Sequence, residues 1–311
     1  MRSLLVMGSL NADLYVEIPR LPIPGETLAG SGNAVRSGGK GANQAAAAAR
    51  LGRLTWLAGR VGTDAFAAPI LTDLAKACVD TALVKPMPGA TGQALILLQH
   101  GGDNAIILSP GANHAWGLAD GFAMDTAVAA AIPASGLLLL QREIPGEVNL
   151  AAARIARSSG VPVILDAGGE ATPIPPELLI GLHTFSPNES ELARLTGLPV
   201  DTLDQVEAAA RTFHRRGVHH VLVKLGARGC LSVPREGTVL VQPAFSVPMV
   251  DTTGAGDCFT AAYAVALLEG QDQARRLRFA CAAAGLCVQT KGALPAMPER
   301  AQVEAFLEAH P

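Results

Sequence analysis

The chain has 311 residues, of which 49% are hydrophobic and 16% charged, so a sizeable core can be buried and global disorder is excluded. That length favours one large α/β domain spanning 1–311 with a subdomain over several autonomous units. Lys and Arg number 24 against 27 Asp and Glu, a net charge of −3, which gives no basic excess for nucleic acid and no acidic tail.

Residues 3–8 (SLLVMG) read as a buried strand ending at Gly8. The apolar run is shorter than the roughly 7–15 residues of a secretory h-region. No stretch reaches the roughly 18–20 uncharged apolar residues of a membrane span, so the cytoplasm is the expected location, without membrane contact. Residues 14–36 are too rich in Pro and Gly for a helix and contain short β-like pieces. Residues 41–52 (GANQAAAAARLG) read as an Ala-rich helix closed by Gly52. Apolar runs then recur at 54–58, 95–98, 137–140, 162–165 and 219–225. Helical patterns fall between many of them, at about 64–77, 118–131, 145–159, 203–216, 255–269 and 272–289. In 203–216, Val206, Ala209, Ala210 and Phe213 share a face that excludes Arg211, Arg215 and Arg216. Continuous apolar strands between helices predict a mainly parallel sheet covered on both faces. Residues 91–108 read as a hairpin around Gly101–Gly102–Asp103. With 14–36 they either make a small sheet outside the main layer or remain surface loops. Five cysteines (Cys78, Cys230, Cys258, Cys281, Cys287) show no C-x-x-C spacing, which speaks against disulfides or zinc and for a reducing compartment.

Chemistry concentrates in three segments. Val250–Phe259 reads VDTTGAGDCF and runs into an Ala-rich helical pattern. Small residues before a helix let N–H groups converge, and the helix dipole adds positive charge, which together make an anion site for phosphate. Asp257 falls in the first turn, where the dipole stabilises a carboxylate by about 0.3–1 kcal/mol. It reads either as a general base beside a transferred phosphoryl group or as the cap of a helix after a glycine turn. Gly38–Gly39–Lys40–Gly41–Ala42–Asn43 lacks the hydroxyl residue of a Walker A loop, and no G-x-G-x-x-G is complete. It still places a cation before a helix and permits close backbone approach to a ligand, though Lys40 alone reads equally as a solvated loop charge. Gly8–Ser9–Leu10–Asn11–Ala12–Asp13 follows the first strand, beyond whose carboxyl end ligands of parallel sheets bind. Asn11 and Asp13 suit polyol hydroxyls, at about 1.5–3 kcal/mol per charge-assisted bond, or simply a polar turn.

The order GSLNAD, GGKGAN, SPNESELARLTG (186–197), VKLGARG (223–229) and DTTGAGD resembles the ribokinase family of sugar kinases, the PfkB-type carbohydrate kinases, from Gly8 to about Glu299. GGKGANQAAAAARLG and DTTGAGDCF are its two signature regions. LDAGGEATPIPPELL, LVKLGARG and KGALPAMPER look most like plant members.

The resemblance implies a three-layer α/β sandwich with a small β-sheet lid, formed here from about 14–36 and 91–108. It implies transfer of the γ-phosphoryl group of ATP to the 5-hydroxyl of D-ribose. By the same resemblance Asn11, Asp13, Gly39, Lys40, Gly41, Asn43 and Glu143 contact the sugar. Asp257 is the base, and the N–H groups of Gly254, Ala255 and Gly256 hold the developing phosphoryl charge. Asn188 and Glu191 match an N-x-x-E element that organises Mg²⁺ through water, with a first-turn helix acid as the plainer reading of Glu191. Lys224, Gly226 and Gly229 lie on the nucleotide strand and turn, with Asn188 and Gly256 also at the nucleotide. Cys281 stands beside the adenine, as apolar packing. A K⁺ ion is implied at Asp251, Thr253, Cys287, Thr290 and Gly292, although Ala296 replaces a hydroxyl that often completes this cage. Family members dimerise by clasping lids; Leu14, Val16, Ile18, Ile96 and Leu98 are candidates for alternating lid faces, or simply for the lid's own core. A kinase for another furanose or a nucleoside is the near alternative. A regulator that binds sugar or nucleotide without turnover is the distant one.

Overall fold

A computed structural model of the chain describes residues 2–99, 104–117 and 124–311. Leu4–Met7 forms β1, with all four side chains fully buried. Leu4 and Val6 pack into one core cluster, Leu5 and Met7 into another on the opposite face. This two-sided burial is what a continuous apolar run in a parallel sheet demands. Each such side chain contributes about 1.5–3 kcal/mol.

The chain continues through β2 (Asn11–Ile18), β3 (Ser31–Gly38), α1 (Lys40–Arg50), β4 (Thr55–Val61), α2 (Ala67–Lys76), β5 (Asp80–Pro86), β6 (Gly92–Gln99) and β7 (Asn104–Ser109). Next come α3 (Thr126–Ala134), β8 (Leu137–Arg142), α4 (Gly146–Ser158), β9 (Val163–Gly169), α5 (Pro176–Leu179), β10 (Thr184–Ser186), α6 (Glu189–Thr196) and α7 (Leu203–Arg211). The remainder is β11 (His220–Lys224), β12 (Cys230–Pro234), β13 (Leu240–Gln242), α8 (Ala255–Leu268), α9 (Gln273–Cys287) and α10 (Arg300–Ala309).

Nine strands form the main sheet in the order β13-β12-β11-β10-β9-β8-β1-β4-β5. Pairings from β11 through β5 are parallel, and β12 runs antiparallel to both neighbours. Helices α1, α8 and α9 cover the face of Leu4 and Val6, while α3, α4 and α7 cover the other. The expected doubly covered, mainly parallel α/β architecture is thus the observed one.

A second sheet, β3-β2-β6-β7, grows from the carboxyl end of β1. Its strands come from the two segments that broke the β/α rhythm and extend slightly beyond them, with 19–30 joining β2 to β3 outside any strand. Antiparallel pairing of β6 with β7 fits the expected hairpin, whose Gly101–Gly102–Asp103 turn lies outside the described residues. Register puts Asn11, Asp13 and Tyr15 on one face, together with Ala94 and Ile96. Leu14, Val16, Leu95 and Leu97 take the other.

Some helical patterns end differently. The pattern at 203–216 stops as an α-helix at Arg211, and a 3₁₀ turn at His214–Arg216 follows, closed by Gly217 at φ 98°. The pattern at 118–131 appears as Thr126–Ala134, capped by the Asp125 side chain, with 118–123 outside the described residues. Among the described residues no helix is long and apolar enough to cross a membrane.

Candidate active site

From β1 the chain winds outward to β4 and β5, then returns to β8 on the other side of β1. The crevice between the carboxyl ends of β1 and β8 is therefore a topological switch point, where α/β sheets bind ligands. Ser9, just past β1, donates its hydroxyl to Glu143 Oε2 just past β8, at 2.6 Å. The same oxygen accepts the Lys40 N–H at 3.1 Å, so Glu143 sits at the α1 N-terminus. Helix α1 presses onto this turn because Gly41 has no side chain. A Cβ there would lie 2.5 Å from the Gly8 carbonyl carbon and 2.6 Å from the Ser9 nitrogen.

A cavity of about 270 Å³ opens at this crevice. Asn11, Asp13, Gly39, Lys40, Asn43 and Glu143 line it from one side, Thr252, Thr253, Gly254 and Asp257 from the other, and Ala94, Ile96, Ile106 and Leu108 from the small sheet. Asn113 Nδ2 donates to Asn11 Oδ1 at 2.7 Å, and among the described residues no hydrogen bond occupies the Asn11 amide N–H₂, which is left for the cavity. The Asp13 carboxyl is buried, and burial together with Glu143 and Asp257 pushes its pKa up to about 7, against the opposing pull of Lys40.

Asp257 is held on both oxygens. Oδ2 accepts from Asn43 Nδ2 at 2.9 Å and Oδ1 from Gln44 Nε2 at 3.0 Å. Lys40 Nζ stands 3.9 Å from Oδ1. The Asp257 charge, more than opposing burial, holds the Lys40 ammonium well above its usual pKa, with Glu143, Asp166 and Glu191 adding to it.

Helix α8 starts at a turn in which Gly254 takes a left-handed conformation, φ 79°. Ala255 N–H closes this turn on Thr252 O at 3.2 Å. Of the three N–H groups expected to form an anion cradle, Ala255's thus points back into the turn. Among the described residues no hydrogen bond occupies the N–H of Gly254, Gly256 or Asp257. Asp251 braces the turn: Oδ1 accepts from Thr253 N and Oγ1 at 2.9 and 2.6 Å, and Oδ2 from Gly292 N at 2.8 Å. Burial opposes ionisation of Asp251, but those bonds and the charge of Arg36 on β3 hold its pKa below the usual range. The nearby Cys287 carbonyl accepts from Thr290 N at 3.2 Å.

Further along the rim, Lys224 Nζ bonds Asp166 Oδ2 at 2.7 Å. Gly226 and Gly229 take positive φ, 54° and 93°, in the turn after β11. Cys281 is buried in α9, its sulfur 3.7 Å from Cys230 Sγ. That contact and burial push the Cys230 thiol up, so Cys230 packs against Cys281 as a protonated thiol. Asn188 and Glu191 form a reciprocal capping box at α6, each side chain bonded to the other's N–H at 2.8 Å. This capping accounts for both residue types structurally and leaves Glu191 Oε1 without a partner among the described residues. The residues of this paragraph do not line the 270 Å³ cavity.

Sequence reasoning passed over Gln44, Asn113, Asp166 and Thr260. Gln44 directly follows the GGKGAN motif, and Asp166 is a carboxylate ending an apolar parallel strand, so both carried a legible signal. Asn113 lies 102 residues from the side chain it orients, and no local pattern marks it.

Fold and site together define a class: an α/β protein whose switch-point crevice joins carboxylates suited to hydroxyls with a helix N-terminus open to an anion. Residues 1–300 match the model of the pfkB family carbohydrate kinases. A ribokinase of Arabidopsis thaliana is 46% identical over 310 residues, 98% of this chain and 81% of that protein. A ribokinase of Haemophilus influenzae is 36% identical over 99% of each chain. The solved structure of Arabidopsis thaliana ribokinase complexed with ribose and ATP superposes with a TM-score of 0.93, at 45% identity, over 99% of each chain. The chain belongs to the pfkB family of carbohydrate kinases.

Proposed function

We propose that this protein transfers the γ-phosphoryl group of ATP to the 5-hydroxyl of D-ribose, giving D-ribose 5-phosphate and ADP. The observation that carries the reading is that Asn11, Asp13 and Asp257 share one cavity with the N-terminal turn of α8. The similarity to a ribokinase solved with ribose and ATP supports the choice of substrates.

Ribose sits among Asn11, Asp13, Gly39, Lys40, Gly41, Asn43 and Glu143. Asp257, oriented by Asn43 and Gln44, takes the proton of the attacking hydroxyl as the bond to phosphorus forms. Phosphoryl transfer depends mainly on position and charge stabilisation. The N–H groups of Gly254 and Gly256 supply part of the latter, with Ala255 shaping their turn. The nucleotide lies along the strand and turn of Lys224, Gly226 and Gly229, with adenosine approaching Gly226 and Gly229 towards Cys281.

A divalent ion such as Mg²⁺ accompanies ATP and neutralises its phosphates. Asn188 and Glu191 fit an outer role, because Glu191 Oε1 is unpartnered and Mg²⁺ keeps several waters. For K⁺ the Asp251 carboxylate, whose pKa is held below the usual range, and the hydroxyl and carbonyl oxygens of Thr253, Cys287, Thr290 and Gly292 would be the donors, a set that suits a hard monovalent cation. Held by these residues, the ion would supply positive charge to help the α8 turn bind an anion. Ala296 supplies no oxygen.

The small sheet acts as a lid over the sugar. Its outer row Val35–Leu14–Leu95–Ile107 is apolar, with Val35 56% and Ile107 58% exposed. A second copy covering that row makes a homodimer. An ADP-release assay over ribose, deoxyribose, fructose and nucleosides tests the reading. Ribose turns over best if it holds; preference for a nucleoside, or ATP binding without turnover, overturns it.

A further inference from the structure

Asp166 ends β9 with its side chain 1% exposed. Its carboxylate is fully engaged. Oδ2 accepts from Lys224 Nζ at 2.7 Å and Thr260 Oγ1 at 2.6 Å, and Oδ1 from Gly168 N at 2.9 Å. Burial resists its ionisation, yet the charges of Lys224 and Lys40 hold its pKa below the usual range. Asp166 therefore touches no substrate and instead ties β9, β11 and α8 together.

Lys224 is different. Its side chain is 13% exposed, and Asp166 takes one of its three N–H donors. Among the described residues no other hydrogen bond occupies that ammonium. A Cβ built on Gly256 would lie 3.7 Å from Lys224 Nζ, so the ammonium stands against the first turn of α8, which carries the open N–H groups. A buried ion pair kept only for stability is a weak device, since apolar replacements often do as well. A cation clamped on three rigid elements at an anion cradle is a strong one. Lys40 approaches the same centre from the sugar side, 3.9 Å from Asp257.

We infer that Lys224 is a catalytic residue that donates to a non-bridging oxygen of the transferred phosphoryl group, and that Asp166 is the positioning residue that aims it. The inference rests on the kinase reading above and adds to it which group meets the moving phosphoryl and what holds that group.

The test compares wild type with Lys224→Met, Asp166→Asn and the double variant in ribose phosphorylation. Lys224→Met lowers kcat by about 10²-fold or more, the loss typical of a missing oxyanion donor, with ribose KM within threefold. Asp166→Asn lowers kcat at least tenfold alone and adds less than twofold when Lys224 is already Met, because it acts through Lys224. A kcat within threefold of wild type in Lys224→Met, or full multiplication of the two losses, overturns the inference. Should Lys224→Met misfold around an unpaired Asp166, the double variant, which removes both charges, decides by the same kcat criterion. Wild-type protein that releases no ribose-dependent ADP sinks the kinase reading instead, which keeps the two failures apart.

Discussion

Gln44 and Asp257 meet across 213 residues of sequence, Gln44 Nε2 donating to Asp257 Oδ1 at 3.0 Å. Gln141 Nε2 donates in turn to Gln44 Oε1 at 2.7 Å and fixes which way the amide points. The carboxylate is thus held by the helix that also carries Lys40 and Asn43. Replacing Gln44 by Leu should leave ribose KM nearly unchanged and lower kcat by about tenfold or more, since small misplacements of a reacting group cost up to about 10²-fold. Steady-state kinetics of that variant checks it; an unchanged kcat removes Gln44 from the account.

Asp13 sets a pH dependence. Its pKa in the empty cavity is about 7, so below that pH it is protonated and a poor acceptor for sugar hydroxyls. Ribose favours the ionised form, and ribose KM should fall as pH rises through 7 and then level off. Asp13→Asn should bind ribose weakly and lose this step. The raised pKa also means that the folded chain holds a proton the unfolded chain releases between about 4 and 7. This group's contribution to stability is present at the acid end and is lost as pH rises across that window. Ligand-free Asp13→Asn should therefore gain Tm relative to wild type from pH 5 to pH 8. A difference that stays constant contradicts the shift.

Asp251 links the cation and the α8 turn. Ribose phosphorylation should run fastest in K⁺, slower in Na⁺ and slowest in a large organic cation. Asp251→Ala should lose both rate and this ordering, because it removes the bonds to Thr253 and Gly292. Equal wild-type rates in all three salts remove the cation from the mechanism.

The outer lid row predicts assembly. At micromolar concentration the chain should sediment at twice its 31.9 kDa mass. Val35→Lys with Ile107→Lys should return it to the single-chain mass. A wild-type monomer contradicts the clasp.

Much of the fold is legible because parallel strands buried on both faces read as unbroken apolar runs, as in LLVM of β1 and LLLL of β8. Edge and short strands are harder: β5 is partly exposed along its length, and β10 has only three residues. Lys40 and Asp257 are legible because each follows a glycine-marked turn at a helix start, and Asn11 and Asp13 because they open the strand that follows β1 and Gly8. Asn113 and the Lys224–Asp166 pairing are not, because their partners lie 102 and 58 residues away and only the closed sheet brings them together. The N-x-x-E element shows the limit from the other side: its spacing is the same for a helix cap and for a metal shell, and the cap is what the side chains form.

The most direct measurement is the turnover of Asp257→Asn with saturating ribose and ATP. The substitution keeps the shape of the buried side chain: its oxygen can still accept from Gln44, and its new amide N–H₂ can donate to Asn43 once that side chain turns its unpartnered Oδ1 inward, so what is lost is the negative charge and the ability to take a proton. The expected result is a thermal transition close to wild type with kcat reduced about 10²–10⁴-fold. A variant that phosphorylates ribose at a near-native rate would show that the proton leaves by another route and that the site is assigned wrongly.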